Sequence, residues 1–379
     1  MLKNTPCAVN CTNITNASKL QCGPTTPEDN FSSSFQIFCG VLLVGMMLTA
    51  VFGNAVVCYI VYQKPAMRSA INLLLSNLAF VDVFIGLISM TCAFVTIIAE
   101  DWILGEGFCK VNAFFFSFLI SESTYVLLAI SWDRYLIIVR REETLTPYKA
   151  KLVICFTWFV SFAFSFPPTV GWGKYTYVKG QIQCTLDDNS LSYSIIFHTS
   201  TIVAPIIVMA YVYYSILCTV RRNSNKVINH PPVSTVETRI HKRGKMNINY
   251  GFKTRAFLTI LILFIGYFCC FLPYVIVRLD AVLGRHLSTS PVAEVVLILM
   301  CYLNSMMNPL VYYFRISKFR EACRDIVPSC CGFSLLCLPK RPLRRICPHV
   351  IYEISDSNEK SVTLNFSSLG AFDMYKSET

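Results

Sequence analysis

Seven times along this chain an apolar run reaches the length of about 20 residues that a helix needs to cross a hydrocarbon layer roughly 30 Å thick. The runs fall near residues 36–62, 71–98, 110–138, 151–171, 191–219, 254–278 and 292–314. Phe257 to Val277 carries no charge between its ends, whereas the third run holds Glu122. The apolar residues come as blocks, neither alternating nor in heptads, in a chain of 379 residues that is 54% hydrophobic and only 15% charged. Such a chain is solvated by lipid, and the pattern predicts an all-α membrane protein built as a seven-transmembrane helix bundle.

Charge orients the bundle. Between Arg221 and Lys253 stand Arg221, Arg222, Lys226, Arg239, Lys242, Arg243 and Lys245 against one acid, Glu237, which marks that loop as cytoplasmic. Loops of the opposite set carry Glu100, Asp101 and Glu106, or Asp187 and Asp188. The net charge of +11 is therefore an orientation signal rather than a sign of nucleic-acid binding. Asn10, Asn13, Asn16 and Asn30 each begin an Asn-x-Ser/Thr acceptor ahead of the first run, as expected of an extracellular, N-glycosylated segment over 1–35. The bundle should occupy 36–314, with 315–379 cytoplasmic, in a multi-pass protein of the plasma membrane. No cleavable leader is visible, so the first helix is expected to act as the anchor.

Disulfides persist only on the outside, and Cys109 and Cys184 form the favoured pair, pinning the loop before the fifth helix over the head of the third. Cys7, Cys11, Cys22 and Cys39 are an even set of undetermined pairing, and the intramembrane cysteines read as small apolar packing.

Polar groups inside a membrane are costly and mark function by default. Here they are Asn54, Asp82, Glu122, Arg134, His198, Asn304 and Asn308. Asp82, halfway along the second run, with Asn54, Ser123, Asn304, Ser305 and Asn308 as candidate partners, suits either a small hard cation such as Na⁺ or a neutral hydrogen-bonded cluster. Polarity alone does not choose between them. Asp133-Arg134-Tyr135 closes the third run at the inner face, where an ordinary snorkelling cluster is the plainer alternative. Pro205, Pro273 and Pro309 interrupt the last three runs and favour hinges there.

Taken in order, Gly53-Asn54-Ala55-Val56-Val57, Leu78 to Asp82, Cys109, Asp133-Arg134-Tyr135, Trp158, Pro205 with Tyr213, Cys270-Phe271-Leu272-Pro273 and Asn308-Pro309-Leu310-Val311-Tyr312 resemble the rhodopsin-like G-protein-coupled receptors from Gly53 to Cys331. The resemblance implies a two-state bundle that passes an extracellular signal to a heterotrimeric G protein. It implies a sodium pocket of Asp82, Ser123, Asn304 and Asn308, with Arg134 engaging the G protein and Tyr213 and Tyr312 supporting the opened cavity. Tyr62 to Asn72, Asp133 to Arg141, Gly251 to Phe257 and Phe319 to Cys323 are further similar to a subfamily of brain-expressed orphan receptors related to a proposed high-affinity lysophosphatidic acid receptor.

Departures from the family pattern narrow the function. Phe116 stands where aminergic receptors need a carboxylate, and Tyr302 where opsins need their retinal lysine. Phe271 replaces the usual tryptophan trigger, and Thr124 with Tyr267 replaces an apolar pair beneath the pocket. Lys253 stands where many members place an acid to hold Arg134, so raised ligand-independent signalling is expected. Phe114, Phe115, Phe116 and Phe118, with His198, Arg278, Arg285, His286, Lys174 and Lys179 toward the mouth, suit an anionic amphiphile such as a lysophospholipid, with Arg278 as the headgroup contact. Ordinary packing and interfacial anchoring explain the same residues equally well, and Glu294 and Asp280 would partly neutralise that rim. Asn112 and Ala113 differ from the Arg-Gln pair of the best-discussed lysophosphatidic acid receptors.

Phe314 to Asp325 is amphipathic and predicts a short eighth helix on the membrane surface. Cys330 and Cys331 follow as palmitoylation candidates, with Cys323 and Cys337 weaker. Polybasic Lys340, Arg341, Arg344 and Arg345 would bind anionic membrane lipid, and the Ser- and Thr-rich tail suits receptor kinases and arrestin. The alternatives are a constitutively active orphan receptor with no small ligand and a membrane transporter, although neither internal repeats nor a hydrophilic pathway is visible. Nothing resembles an enzyme's nucleophile and base or a metal-ligand cluster.

Overall fold

In lipid a spanning segment must satisfy its own backbone, so each apolar run is forced into a helix. The computed structural model describes residues 31–142, 145–187, 190–229, 236–284 and 290–330, with side chains described except at 223–229, 236–256 and 325–330. It contains seven apolar helices long enough to span a membrane: α1 (Ser33–Gln63), α2 (Ala70–Ala99), α3 (Glu106–Arg140), α4 (Pro147–Ser165), α5 (Leu191–Arg222), α6 (Val236–Val282, apolar over Phe257–Val282) and α7 (Pro291–Arg315). α8 (Ser317–Cys330) follows after a break at Ile316. Between α4 and α5, β1 (Tyr175–Thr176) pairs antiparallel with β2 (Thr185–Leu186).

Two expectations are corrected. The fourth helix ends at Ser165 rather than near 171, because Pro167 and Pro168 supply no amide donors; a short 3₁₀ turn over Pro167–Val170 closes on Gly171 at φ +101°. The basic segment from Arg221 to Lys253 is mostly helical: α5 continues to Asn229 and α6 begins at Val236. Arg, Lys and Met there are good helix formers, while Gly244, Gly251 and the asparagines are poor ones, so propensity alone does not explain the extension.

Helix starts follow local chemistry. Thr146 Oγ1 accepts from the Lys149 amide at 3.3 Å with Pro147 next, and Ser290 Oγ accepts from the Ala293 amide at 3.3 Å with Pro291 next. Wider π-type turns interrupt the helices at Thr49–Gly53, Ile85–Met90, Leu136–Arg140 and Thr199–Val203, the last just ahead of Pro205. A Cβ on Gly53 would lie 2.9 Å from Pro309 Cγ, so α1 and α7 touch there only because the residue is glycine.

α3 is the axis of the bundle: 67% of its apolar window is buried, against 28% for α1 and 22% for α4. Phe38 and Val41 of α1, Phe156 and Phe159 of α4, and Tyr211 and Tyr214 of α5 face outward, a cost in water and none in lipid. In α8, Phe319, Ala322 and Cys323 pack inward while Lys318, Glu321 and Arg324 are exposed. Phe314, the first residue of the expected amphipathic stretch, belongs to α7 and is exposed; α8 starts only at Ser317, after the break at Ile316.

Candidate functional site

Midway along the bundle, Asp82 of α2 is fully buried, and its Oδ2 accepts from Asn308 Nδ2 of α7 at 2.7 Å. Asp82 Oδ1, Ser123 Oγ, Asn54 Oδ1 and the Tyr312 hydroxyl are buried without hydrogen-bond partners. Asn304 is buried nearby in sequence on α7, one turn before Asn308. A buried carboxylate and buried neutral oxygens on α1, α3 and α7 left without partners are the donor types of a small hard cation, so the residues fit Na⁺ in kind. Asn54 Nδ2 meanwhile bridges to the Ser305 carbonyl at 3.1 Å, tying α1 to α7.

At the Arg134 end the side chains are drawn inward. Arg134 pairs with the neighbouring Asp133, whose Oδ1 accepts from the Leu145 amide at 3.2 Å. Tyr135 stacks on Trp132 at 5.3 Å. Tyr213 of α5 donates to the Ile260 carbonyl of α6 at 3.2 Å, and its oxygen lies 3.0 Å from Ser131 Oγ of α3. One phenol thus joins three helices. Tyr312 sets its ring edge-on to Phe319 of α8 at 6.3 Å. The Lys253 side chain lies outside the described residues.

Toward the opposite end, a small cavity of about 20 Å³ is walled by Phe116, Ser117 and Ile120 of α3, Thr185 and Leu186 of β2, Phe197, His198 and Ile202 of α5, and Phe271 and Tyr274 of α6. Its floor is aromatic: Phe271 stacks on Tyr267 at 4.6 Å, and between them lies Cys269, whose carbonyl Pro273 cannot bond. The Tyr267 hydroxyl lies 2.5 Å from Thr124 Oγ1, which itself donates to the Ile120 carbonyl at 2.9 Å. The one Thr124 proton being used, Tyr267 must be the donor between α6 and α3.

Of the four residues expected to meet a ligand, Phe116 and His198 line the cavity. His198 Nδ1 lies 2.9 Å from the Ser194 carbonyl, which makes Nδ1 the donor and leaves Nε2 as an acceptor. Tyr302 sits edge-on to Phe116 at 6.0 Å with its hydroxyl against Gln183. Arg278 is buried, paired with Glu294 of α7 and 5.3 Å from the Tyr274 ring. Cys109 and Cys184 are bonded, with Cα atoms 5.4 Å apart. Cys39 carries no disulfide and is buried in α1, and Cys323 is buried in α8. Asn10, Asn13, Asn16, Asn30, Arg285, His286 and Cys331 lie outside the described residues, as does the side chain of Cys330.

Two features escape sequence reasoning. Glu122 is identifiable as an intramembrane acid, but its partners are not: Oε1 accepts from Asn77 Nδ2 at 2.8 Å and Thr157 Oγ1 at 2.9 Å, and Oε2 from Ser161 Oγ at 3.1 Å. Trp158 Nε1 completes the network by donating to Asn77 Oδ1 at 2.9 Å. The other is Gln183, whose only signal is its place beside the disulfide.

Seven spanning helices, a buried Asp82 to Asn308 bond between α2 and α7, prolines inside the last three helices and a disulfide tying the β2 segment to α3 define a seven-helix receptor, and the chain belongs to the family described as "7 transmembrane receptor (rhodopsin family)", whose sequence model matches residues 53–312. It is 40% identical to the "High-affinity lysophosphatidic acid receptor" of Xenopus laevis over 338 residues, 85% of this chain and 90% of that one. It is 37% identical to the "Probable G-protein coupled receptor 63" of Homo sapiens over 345 residues, 87% of this chain and 82% of the other. Squid rhodopsin shares the fold with a TM-score of 0.71 at 21% identity, over 80% of this chain and 89% of that structure.

Proposed function

We propose that this receptor resides in the plasma membrane with its N terminus outside, senses an anionic lysophospholipid such as lysophosphatidic acid, and signals through a G protein of the phosphoinositide and calcium pathway. The observation that carries the ligand class is the 40% identity, across nearly the full length of both chains, to a relative named for lysophosphatidic acid. The chemistry agrees: the cavity is mainly apolar, and the Arg278 guanidinium near it is held by a carboxylate that a phosphate could replace. Na⁺ at Asp82, Ser123, Asn304 and Asn308 would stabilise the closed state. Palmitate on Cys330 and Cys331, and receptor kinases and arrestin on the tail, complete the proposal.

Stimulated binding of a guanine-nucleotide analogue to membranes containing the receptor tests it. Lysophosphatidic acid should stimulate the wild type, and Arg278→Ala should weaken its potency at least about tenfold, the loss of a charged hydrogen bond. Unchanged potency would sink the phosphate role of Arg278, and absent stimulation the ligand itself. Sodium should lower basal exchange in the wild type but not in Asp82→Asn; equal sensitivity removes the sodium site.

A second reading is favoured by one measurement. At about 20 Å³ the cavity has room for little more than a water molecule, far below the size of ligand pockets, which fits a receptor that signals without a small ligand.

A further inference from the structure

We propose that the receptor's own segment from Gln181 to Leu186 is the resident occupant of its pocket and restrains the bundle in its closed arrangement. Connecting segments ordinarily run over a protein's surface, because a buried loop must find partners for its polar groups. This one is buried throughout: Ile182, Gln183 and Cys184 are 0% exposed, and the other three residues at most 7%. Ile182 packs into the main core together with Phe116, Phe271 and Tyr302. The loop therefore stands where a ligand's apolar part would stand, and the remaining cavity is what it leaves over.

Its polar groups are fastened to the helices that must move. The disulfide ties it to α3. Gln181, with Oε1 toward Arg278, accepts from both terminal guanidinium nitrogens of α6 at 3.2 and 3.3 Å while its Nε2 donates to Thr185 Oγ1 at 3.1 Å. Gln183 meets the Tyr302 hydroxyl of α7. That hydroxyl also donates to the Ser89 carbonyl of α2 at 3.1 Å, and it has a single proton. With the Gln183 amide turned so that the otherwise unpartnered Nε2 donates to the Tyr302 oxygen, both contacts are satisfied in a chain from Gln183 through Tyr302 to Ser89.

The same structure is closed at its other end, with Arg134 on Asp133 and Tyr213 holding α3, α5 and α6 together. A segment fastened to α3, α6 and α7 in this arrangement stabilises it relative to any arrangement in which those helices separate. A diffusible ligand, whatever its identity, must displace the segment to enter.

Two measurements on the full chain test this. Hydrogen exchange of the purified receptor should show the amides of 182–186 protected about a hundredfold or more beyond exposed-loop rates, and Gln183→Ala should lose most of that protection. Unprotected amides in the wild type overturn the occupancy. Basal nucleotide exchange per surface receptor, across a panel of G proteins without added lipid, should rise about threefold to tenfold in Gln183→Ala, and likewise in Tyr302→Phe, which deletes only the hydroxyl. Basal exchange that is unchanged or lower in both variants overturns the restraint. Because no lipid is added, failure here is distinct from failure of the lysophospholipid reading.

Discussion

Two buried residues show how differently a polar group can fare in this interior. Glu122 accepts three hydrogen bonds from α2 and α4, so its burial is matched by partners, whereas Asn112 of α3 is fully buried with neither amide atom bonded. An unsatisfied buried polar group costs about 1–3 kcal/mol. Asn112→Leu should therefore leave the thermal midpoint of the purified receptor unchanged or raise it, and a clear fall would mean that Asn112 has a partner. At Glu122 the order reverses. Glu122→Gln keeps an oxygen for Asn77 and Thr157, and the Ser161 hydroxyl can rotate to accept from the new amide, so it should cost little; Glu122→Leu strands all three donors and should lower the midpoint by several degrees, on the order of 2–4 °C per kcal/mol. The sequence exposes Glu122 as an oddity by its charge alone, but whether it is a site or a strut depends on side chains 35 to 45 positions away.

Helices α3 and α6 meet through a polar contact where the family usually packs hydrocarbon. The Tyr267 to Thr124 bond lies directly beneath Phe271, so any tilt of α6 that separates it from α3 must break that bond. Tyr267→Phe and Thr124→Val should each raise basal nucleotide exchange a few-fold, and the double variant no further, since both remove one bond. Additive effects would show that the two side chains act separately. Lys253 promises a loosened Arg134 end on charge alone, and Lys253→Glu should lower basal signalling; an unchanged level removes that idea. Thr124 and Tyr267 are both legible as departures in the sequence. That they bond to each other is not, because they are 143 residues apart and meet only when α3 and α6 pack.

The whole molecule is arranged by its solvent. Among the described residues the seven helices turn many aromatic and aliphatic side chains outward and keep polar groups such as Asp82, Glu122 and Asn308 buried between them, the opposite of a water-soluble domain. The orientation inferred from Lys and Arg is checkable on intact cells: an epitope tag at the N terminus should be labelled without permeabilisation and one at the C terminus only after it, and the reverse pattern would invert every assignment of inside and outside. The number of spanning helices, the family and the Cys109 to Cys184 bond were all readable from the amino-acid order, since each depends on local hydropathy or on a few residues at fixed places in the chain, but the end of α4 and the runs of α5 and α6 into the basic segment were not read from it. The early end of α4 was written in Pro167 and Pro168 and could have been read there. What only tertiary structure decided was which polar groups meet: Gln183 with Tyr302, Glu122 with Asn77, Arg278 with Glu294, and a loop lying inside the pocket rather than over it. A membrane helix is dictated by how its own residues partition into lipid, but a partnership between helices depends on rotation and packing that no single segment encodes.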